Sequence, residues 1–274
     1  MRKMIVLVAV LFLSACSSSI VYNNADTLLD WWIGKYIDFT DAQQPIVDQT
    51  IEEWLVWHRE NELPLYRDQL LRLRSAITDG TLTKDQLAQH FDDAQAHTDR
   101  IRIRIAPDVA KMAVTLNLDQ LSQLFATIKH ERTERAEDYN QRQRKQPKRS
   151  ERIIDTMSEY LGRMNSQQKA LVEDYSEQLN PTYDLWREYG DVSNQTARQI
   201  LLTAGFDQHA ETKLANFIVD QAALQPPALQ SAANQNKALY IDMLWAIFPT
   251  LNETQRENLT EKIDDYLALI DSLT

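Results

Sequence analysis

Leu82-Thr83-Lys84-Asp85-Gln86 carries the pattern that decides the fold: an apolar residue, a threonine, two intervening residues and a glutamine. A threonine in that position accepts a hydrogen bond from an orphan backbone N–H in the first turn of a helix. The glutamine three residues on reaches back to the backbone N–H of the cap. Leu82 before the cap and Leu87 after it fit a hydrophobic staple. The same theme recurs, with Asn for Thr or Phe and Met for Leu, at Phe39-Thr40-Asp41-Ala42-Gln43, Leu116-Asn117-Leu118-Asp119-Gln120, Met164-Asn165-Ser166-Gln167-Gln168 and Leu251-Asn252-Glu253-Thr254-Gln255. Each such cap contributes about 1 kcal/mol. Repetition therefore marks where helices begin, and it does so without requiring any function.

Between these caps the chain reads as helix after helix, broken by Pro, Gly and Asn. The one stretch with a period of two, Ile101-Arg102-Ile103-Arg104-Ile105, lies inside a longer helical pattern that ends at Pro107, and it is read as helix. Helices are predicted over about 25–37, 40–60, 64–79, 83–106, 117–146, 150–163, 165–188, 194–204, 207–223, 227–248 and 252–272. Pro64 and Pro227 fall near first turns, where a missing N–H costs little, and Gly80 and Gly205 fall just past helix ends. Pro107 and Pro181 are expected to kink or divide their helices. In the last helix Leu259, Ile263, Tyr266, Leu267 and Ile270 form one apolar stripe. The fold class is all-α, an elongated bundle of roughly ten helices following a cleaved signal peptide.

The 274 residues are 43% hydrophobic, enough to supply a core, and suit one large domain or two small ones. One cysteine rules out a disulfide framework and cysteine-rich zinc sites, and five glycines leave little for phosphate-cradling loops or hairpin turns. A net charge of −11 argues against nucleic acid as a partner.

The N-terminus carries an address. Arg2 and Lys3 precede an apolar run from Met4 to Leu13, which is too short to span a bilayer at about 1.5 Å per residue. The run reads as a secretory signal. Leu13-Ser14-Ala15-Cys16 follows, then Ser17-Ser18-Ser19, and this tetrapeptide resembles the bacterial lipobox. The resemblance implies cleavage after residue 15, a diacylglyceryl group on the sulfur of Cys16 and an acyl chain on its new amino group. Several long chains, at about 0.8 kcal/mol per buried CH₂, make such anchoring effectively permanent. Ser17 and Ser18 lack the acid that retains enterobacterial lipoproteins in the inner membrane, so the expected location is the periplasmic face of the outer membrane. Losing residues 1–15 removes two cations and no acid, so the lipid rather than electrostatics is expected to hold the membrane. Residues 16–24 are read as a lipidated tether and residues 25–274 as an all-helical periplasmic domain.

Residues 131–152 are charge-dense and almost without apolar anchors. They suit a protruding helical hairpin supported by pairs such as Glu131–Arg135, or a linker. Arg142, Arg144, Lys145, Lys148, Arg149 and Arg152 form a basic cluster there, either a solvated hairpin tip or a docking point for an acidic partner or anionic surface.

Two resemblances follow. The Leu-Thr-x-x-Gln theme, complete at Leu82–Gln86, is similar to the signature of small periplasmic stress chaperones, all-helical proteins that cradle unfolded clients on a concave surface. A closer likeness, to the uncharacterised proteobacterial envelope lipoproteins, covers almost the whole mature chain. It rests on the lipobox, Tyr22-Asn23-Asn24, Leu29-Asp30-Trp31-Trp32, Asp41 to Gln44, Trp57-His58-Arg59 with Glu62-Leu63-Pro64, and Tyr160-Leu161-Gly162 leading to Asn165.

The chemistry-bearing residues give no catalytic pattern. No nucleophile elbow, Walker loop or Gly-x-Gly-x-x-Gly occurs, and Glu134 stands where a zinc-protease motif starting at His130-Glu131 needs its second histidine. His90, Asp93 and His97 share one helical face and could offer three ligands to zinc or copper, or form a plain solvated face. No metal or cofactor is expected. The adjacent acids Glu52-Glu53, Asp92-Asp93 and Asp264-Asp265 point about 100° apart on a helix, so none is itself a hydrolase dyad. Trp31, Trp32, Tyr36, Phe39, Trp54 and Trp57 follow the anchor, either as an interfacial belt or as core, and His58 with Glu62 reads as a local pair. The expected activity is binding rather than catalysis. The candidate roles are a chaperone-like envelope-maintenance factor engaging unfolded clients or envelope proteins, a structural accessory of one envelope assembly, or, third, a peptidoglycan hydrolase.

Overall fold

The computed structural model describes residue 22, residues 24–145 and residues 149–274. Residues 1–15, read from the sequence as a signal peptide, and Cys16 lie outside the described residues, as do the side chains of residues 142–148. The described residues fold as helices with no strands: α1 (Ala25–Gly34), α2 (Gln44–Asn61), α3 (Leu63–Thr78), α4 (Lys84–Ala113), α5 (Leu118–Lys145), α6 (Arg149–Leu161), α7 (Ser166–Gln178), α8 (Tyr183–Thr203), α9 (Ala210–Val219), α10 (Pro227–Ile247) and α11 (Glu253–Asp271). None of them is long and apolar enough to cross a membrane.

The repeated caps begin helices as read. Thr83 with Gln86, Asn117 with Gln120, Asn165 with Gln168 and Asn252 with Gln255 each close both bonds of the box. The Thr40 copy closes only the return bond, Thr40 N–H to Gln43 Oε1 at 3.0 Å, and α2 starts later, at Gln44. Across the bundle, Gln120 Nε2 also donates to Gln43 Oε1, at 2.7 Å. The other end of the chain repeats this pairing more tightly. Gln168 and Gln255, both buried, exchange amide hydrogen bonds of 2.8 and 2.9 Å. Their remaining N–H groups reach Thr250 O and Arg163 O. The glutamine that begins one helix therefore also ties that helix start to another nearly ninety residues away.

Two of the expected breaks are absent and a third is present. α4 runs through Pro107 to Ala113. The carbonyl that loses its partner to the proline belongs to Ile103, which faces solvent, whereas Ala106 and Ala110 are fully buried and hold the helix in place. Pro181 does divide its helix. Asn236 takes up the backbone there, accepting from Asn180 N–H at 2.8 Å and donating to Asn180 O at 3.0 Å. The expected break before residue 194 is absent, since α8 passes through Gly190, whose missing side chain leaves room for Arg132. Gly80 takes the left-handed conformation (φ 66°) at the end of α3 as read, but Gly205 does not, and Gly162 (φ 71°) was not foreseen.

The two halves of the chain interleave. α11 packs along α3, burying Ala76, Ile77, Leu82, Ile263 and Leu267 together. α9 lies on α4, closing a cluster of Ala110, Leu116, Leu121, Leu201 and Leu214. α6, α7 and α10 enclose Leu161, Val172, Met243 and Ile247. The charge-dense stretch is helical through Lys145, carries the expected Glu131–Arg135 pair, and gains an anchor where Tyr139 stacks on Tyr183.

Candidate functional site

The junction of α2 and α3 is one residue long. Glu62 caps the end of α2 and the start of α3, and the proline two residues on has no N–H to satisfy. This tight corner turns the Glu62 carboxylate inward, where it is fully buried. α4 crosses here and supplies its partners. Arg100 grips the carboxylate with both arms, Nε to Oε1 at 2.7 Å and Nη2 to Oε2 at 3.0 Å, and His97 Nδ1 lies 3.1 Å from Oε2.

The proton on His97 can be assigned from its neighbours. Gln69 donates its Nε2–H to the His90 carbonyl at 2.8 Å, so its Oε1 is the atom that faces His97 Nε2 at 2.8 Å. Nε2 therefore donates, and Nδ1 accepts from the Arg100 guanidinium. Burial lowers the His97 pKa from its ordinary value despite the carboxylate, in keeping with this neutral tautomer. The Tyr66 ring stands edge-on to His97 at 4.3 Å, and a second histidine extends the seam. His58 Nδ1 meets Tyr22 Oη at 2.8 Å and Nε2 meets Tyr66 Oη at 3.4 Å. Burial holds His58 neutral, its pKa lowered to about 4, and pushes the Tyr22 and Tyr66 hydroxyls up. The seam joins Tyr22, the first described residue, to three helices. His58 and Glu62, read as a local pair, instead serve separate partners.

Chemically the seam is closed. Its carboxylate is matched by a guanidinium, its imidazoles are neutral, and neither of two surface grooves includes these residues in its wall. One groove, about 750 Å³ between α3 and α11, gathers Glu253, Glu257, Glu261, Asp264 and Asp265 beside Arg74 and Arg256. Asp264 pairs with Arg74. The other, about 310 Å³, runs between α5 and α8 and is walled by Leu118, Leu121, Phe125 and Leu202, with Lys129 and Arg198 as its cations. Leu118 is 74% exposed, and Phe206, four residues beyond Leu202, is 97% exposed.

The residues singled out by sequence are dispersed. His90 leaves Nδ1 buried without a hydrogen-bond partner, Asp93 pairs with Arg72 at 2.8 Å, and His97 belongs to the seam. Among the described residues no three His, Cys, Asp or Glu side chains gather as metal ligands. Asp92 pairs with Lys237, while Glu53 accepts from Gln49. Of the basic cluster, Arg149 donates to Leu179 O at 2.8 Å, closing the C-terminal end of α7, and Arg152 lies on α6. Arg142, Arg144, Lys145 and Lys148 have side chains outside the described residues. The aromatics divide. Phe39 joins the core, Trp54 Nε1 donates to Asp108 at 2.8 Å and Trp32 packs on Tyr36, while Trp31 faces solvent. Gln69, Arg100 and Tyr66 were not foreseen. The one sequence signal for them was the spacing of His97 and Arg100 at i and i+3, on one face of a helix.

Residues 35–229 match the family described as a family of unknown function (DUF6279), a stretch longer than half of the 274 residues, and the chain belongs to that family. No curated protein and no solved structure matches the chain.

Proposed function

We propose that this member of the DUF6279 family is a lipid-anchored protein of the outer membrane's periplasmic face that binds polypeptide and catalyses nothing. The observation that carries the binding half is the α5–α8 groove. Leu118 and Leu202 in its wall stay exposed, whereas the Glu62 seam inside the bundle is matched by its own partners. Large uncovered apolar side chains around a depression mark a place where another chain can bury surface. Lys129 and Arg198 add cations with no acid in the wall, so the favoured client segment is apolar with a flanking carboxylate. The anchoring half is supported by the lipobox-like Leu13–Cys16 and by the short run from Cys16 to the seam at Tyr22.

The test uses the full lipidated chain in detergent or vesicles with an unfolding client protein. Wild type is expected to slow aggregation in proportion to its concentration, and Leu118→Asp with Leu202→Asp to lose most of that effect with helix content unchanged. No slowing at any ratio would reject the client-binding reading. Muropeptide release from purified peptidoglycan would instead favour a hydrolase.

A further inference from the structure

The outward face of α1 combines an aliphatic side chain, an indole and a cation. Leu28, Trp31 and Lys35 fall at i, i+3 and i+7 on one stripe, all three exposed, Trp31 at 60%. Lys35 Nζ lies 3.4 Å over the Trp31 ring. The acids of this helix, Asp26 and Asp30, fall on the opposite side at about 100° per residue, and Asp30 accepts from Gln44 at 2.7 Å. An aliphatic side chain, an indole and a cation able to extend past it are the side chains that settle at a lipid headgroup layer.

Chain length says which surface this face meets. Tyr22 is buried and bonded to His58, so the chain is fixed to the bundle at that residue. From Cys16 to Tyr22 is six residues, which reach at most about 20 Å when fully extended. α1 itself is only about 15 Å long. A lipid on Cys16 therefore keeps the bilayer within reach of α1 and brings this helix nearer to it than the far end of the bundle.

We propose that Leu28, Trp31 and Lys35 insert into the headgroup layer of the membrane that holds the anchor, and so fix one orientation of the bundle on that surface. The proposal rests on the anchoring reading above. The ring of Trp31 enters at the level of the glycerol backbone, and Lys35 stays on it to meet lipid phosphate. The seam at Tyr22 and His58 makes this possible, because a tether free to swing would impose no orientation.

The test reconstitutes the full lipidated chain into vesicles of phosphatidylethanolamine and phosphatidylglycerol with brominated acyl chains, which quench tryptophans that reach them. Mass measurement of the Cys16 peptide and flotation of the vesicles come first. A peptide without lipid overturns the anchoring reading and this proposal with it. With the anchor present, tryptophan quenching is expected in wild type and most of it is lost in Trp31→Phe, while Trp54→Phe keeps it. Lys35→Glu is expected to reduce quenching with helix content and thermal midpoint unchanged. Floating protein without quenching, or equal loss in Trp31→Phe and Trp54→Phe, overturns the stripe alone.

Discussion

Glu62 is the residue whose environment is hardest to build and simplest to break. A fully buried carboxylate is tolerated because Arg100 meets it with two hydrogen bonds, so removing the guanidinium leaves a charge without a partner. Arg100→Met is expected to cost about 3–5 kcal/mol in urea unfolding, and adding Glu62→Leu to recover most of it. If the single variant unfolds like wild type, the ion pair does not hold the corner. His58 sets a pH limit. Its pKa is lowered to about 4 in the fold, whereas in the unfolded chain it titrates near 6.5. Between those values the unfolded state binds the extra proton. Its contribution to stability is therefore complete above about pH 6.5 and falls as the pH drops toward 4, by roughly 3 kcal/mol in all. Unfolding midpoints across that range should fall more steeply for wild type than for His58→Gln, and parallel slopes would rule His58 out as the source. None of this was legible from sequence, where His58 and Glu62 stand at i and i+4 and look like a local pair. The corner at Glu62 turns the carboxylate into the bundle, and only the arrival of α4 supplies its partners.

At the scale of elements, local rules accounted for helix starts and tertiary contacts accounted for the exceptions. Four of the five repeated caps close in full, since cap, glutamine and staple lie within a few residues of one another. Pro107 and the run before residue 194 failed as breakers because packing of Ala106 and Ala110, and Arg132 lying against Gly190, outweigh local preference. The paired glutamines could not be read at all, as nothing in either sequence segment names the other. They make a specific demand on stability. Gln168→Leu leaves one N–H of the buried Gln255 amide without its partner and is expected to cost about 1–3 kcal/mol, and the double change with Gln255→Leu should cost less than the two singles added. Additive losses would mean that the amides stabilise separately. Gly162, next to this pair, is held at positive φ, and a Cβ there would come 2.8 Å from Asn258 Nδ2. Gly162→Ala should lower stability by at least about 1–2 kcal/mol, measurable as a reduced thermal midpoint. An unchanged midpoint would show that the turn can relax.

Across the whole molecule, N- and C-terminal halves are joined by α11 on α3 and α9 on α4, so the bundle is expected to unfold in one cooperative step. Coincident far-UV and tryptophan transitions would agree with that, and two separated transitions would contradict it. Sequence composition pointed to the all-α class through its scarce glycine and repeated caps. It could not point to the grooves, which form between helices far apart in the chain. The α3–α11 groove is acidic, and the α5–α8 groove is apolar with two cations, so the molecule offers two chemically different grooves. The measurement that tests the central claim most directly is photocrosslinking in living cells, with a photoreactive residue at Leu118 of the full lipidated chain. Covalent adducts with envelope polypeptides, increased by heat and lost when Leu202→Asp is added, are expected. No polypeptide adduct at Leu118, or adducts with peptidoglycan fragments alone, would contradict the account.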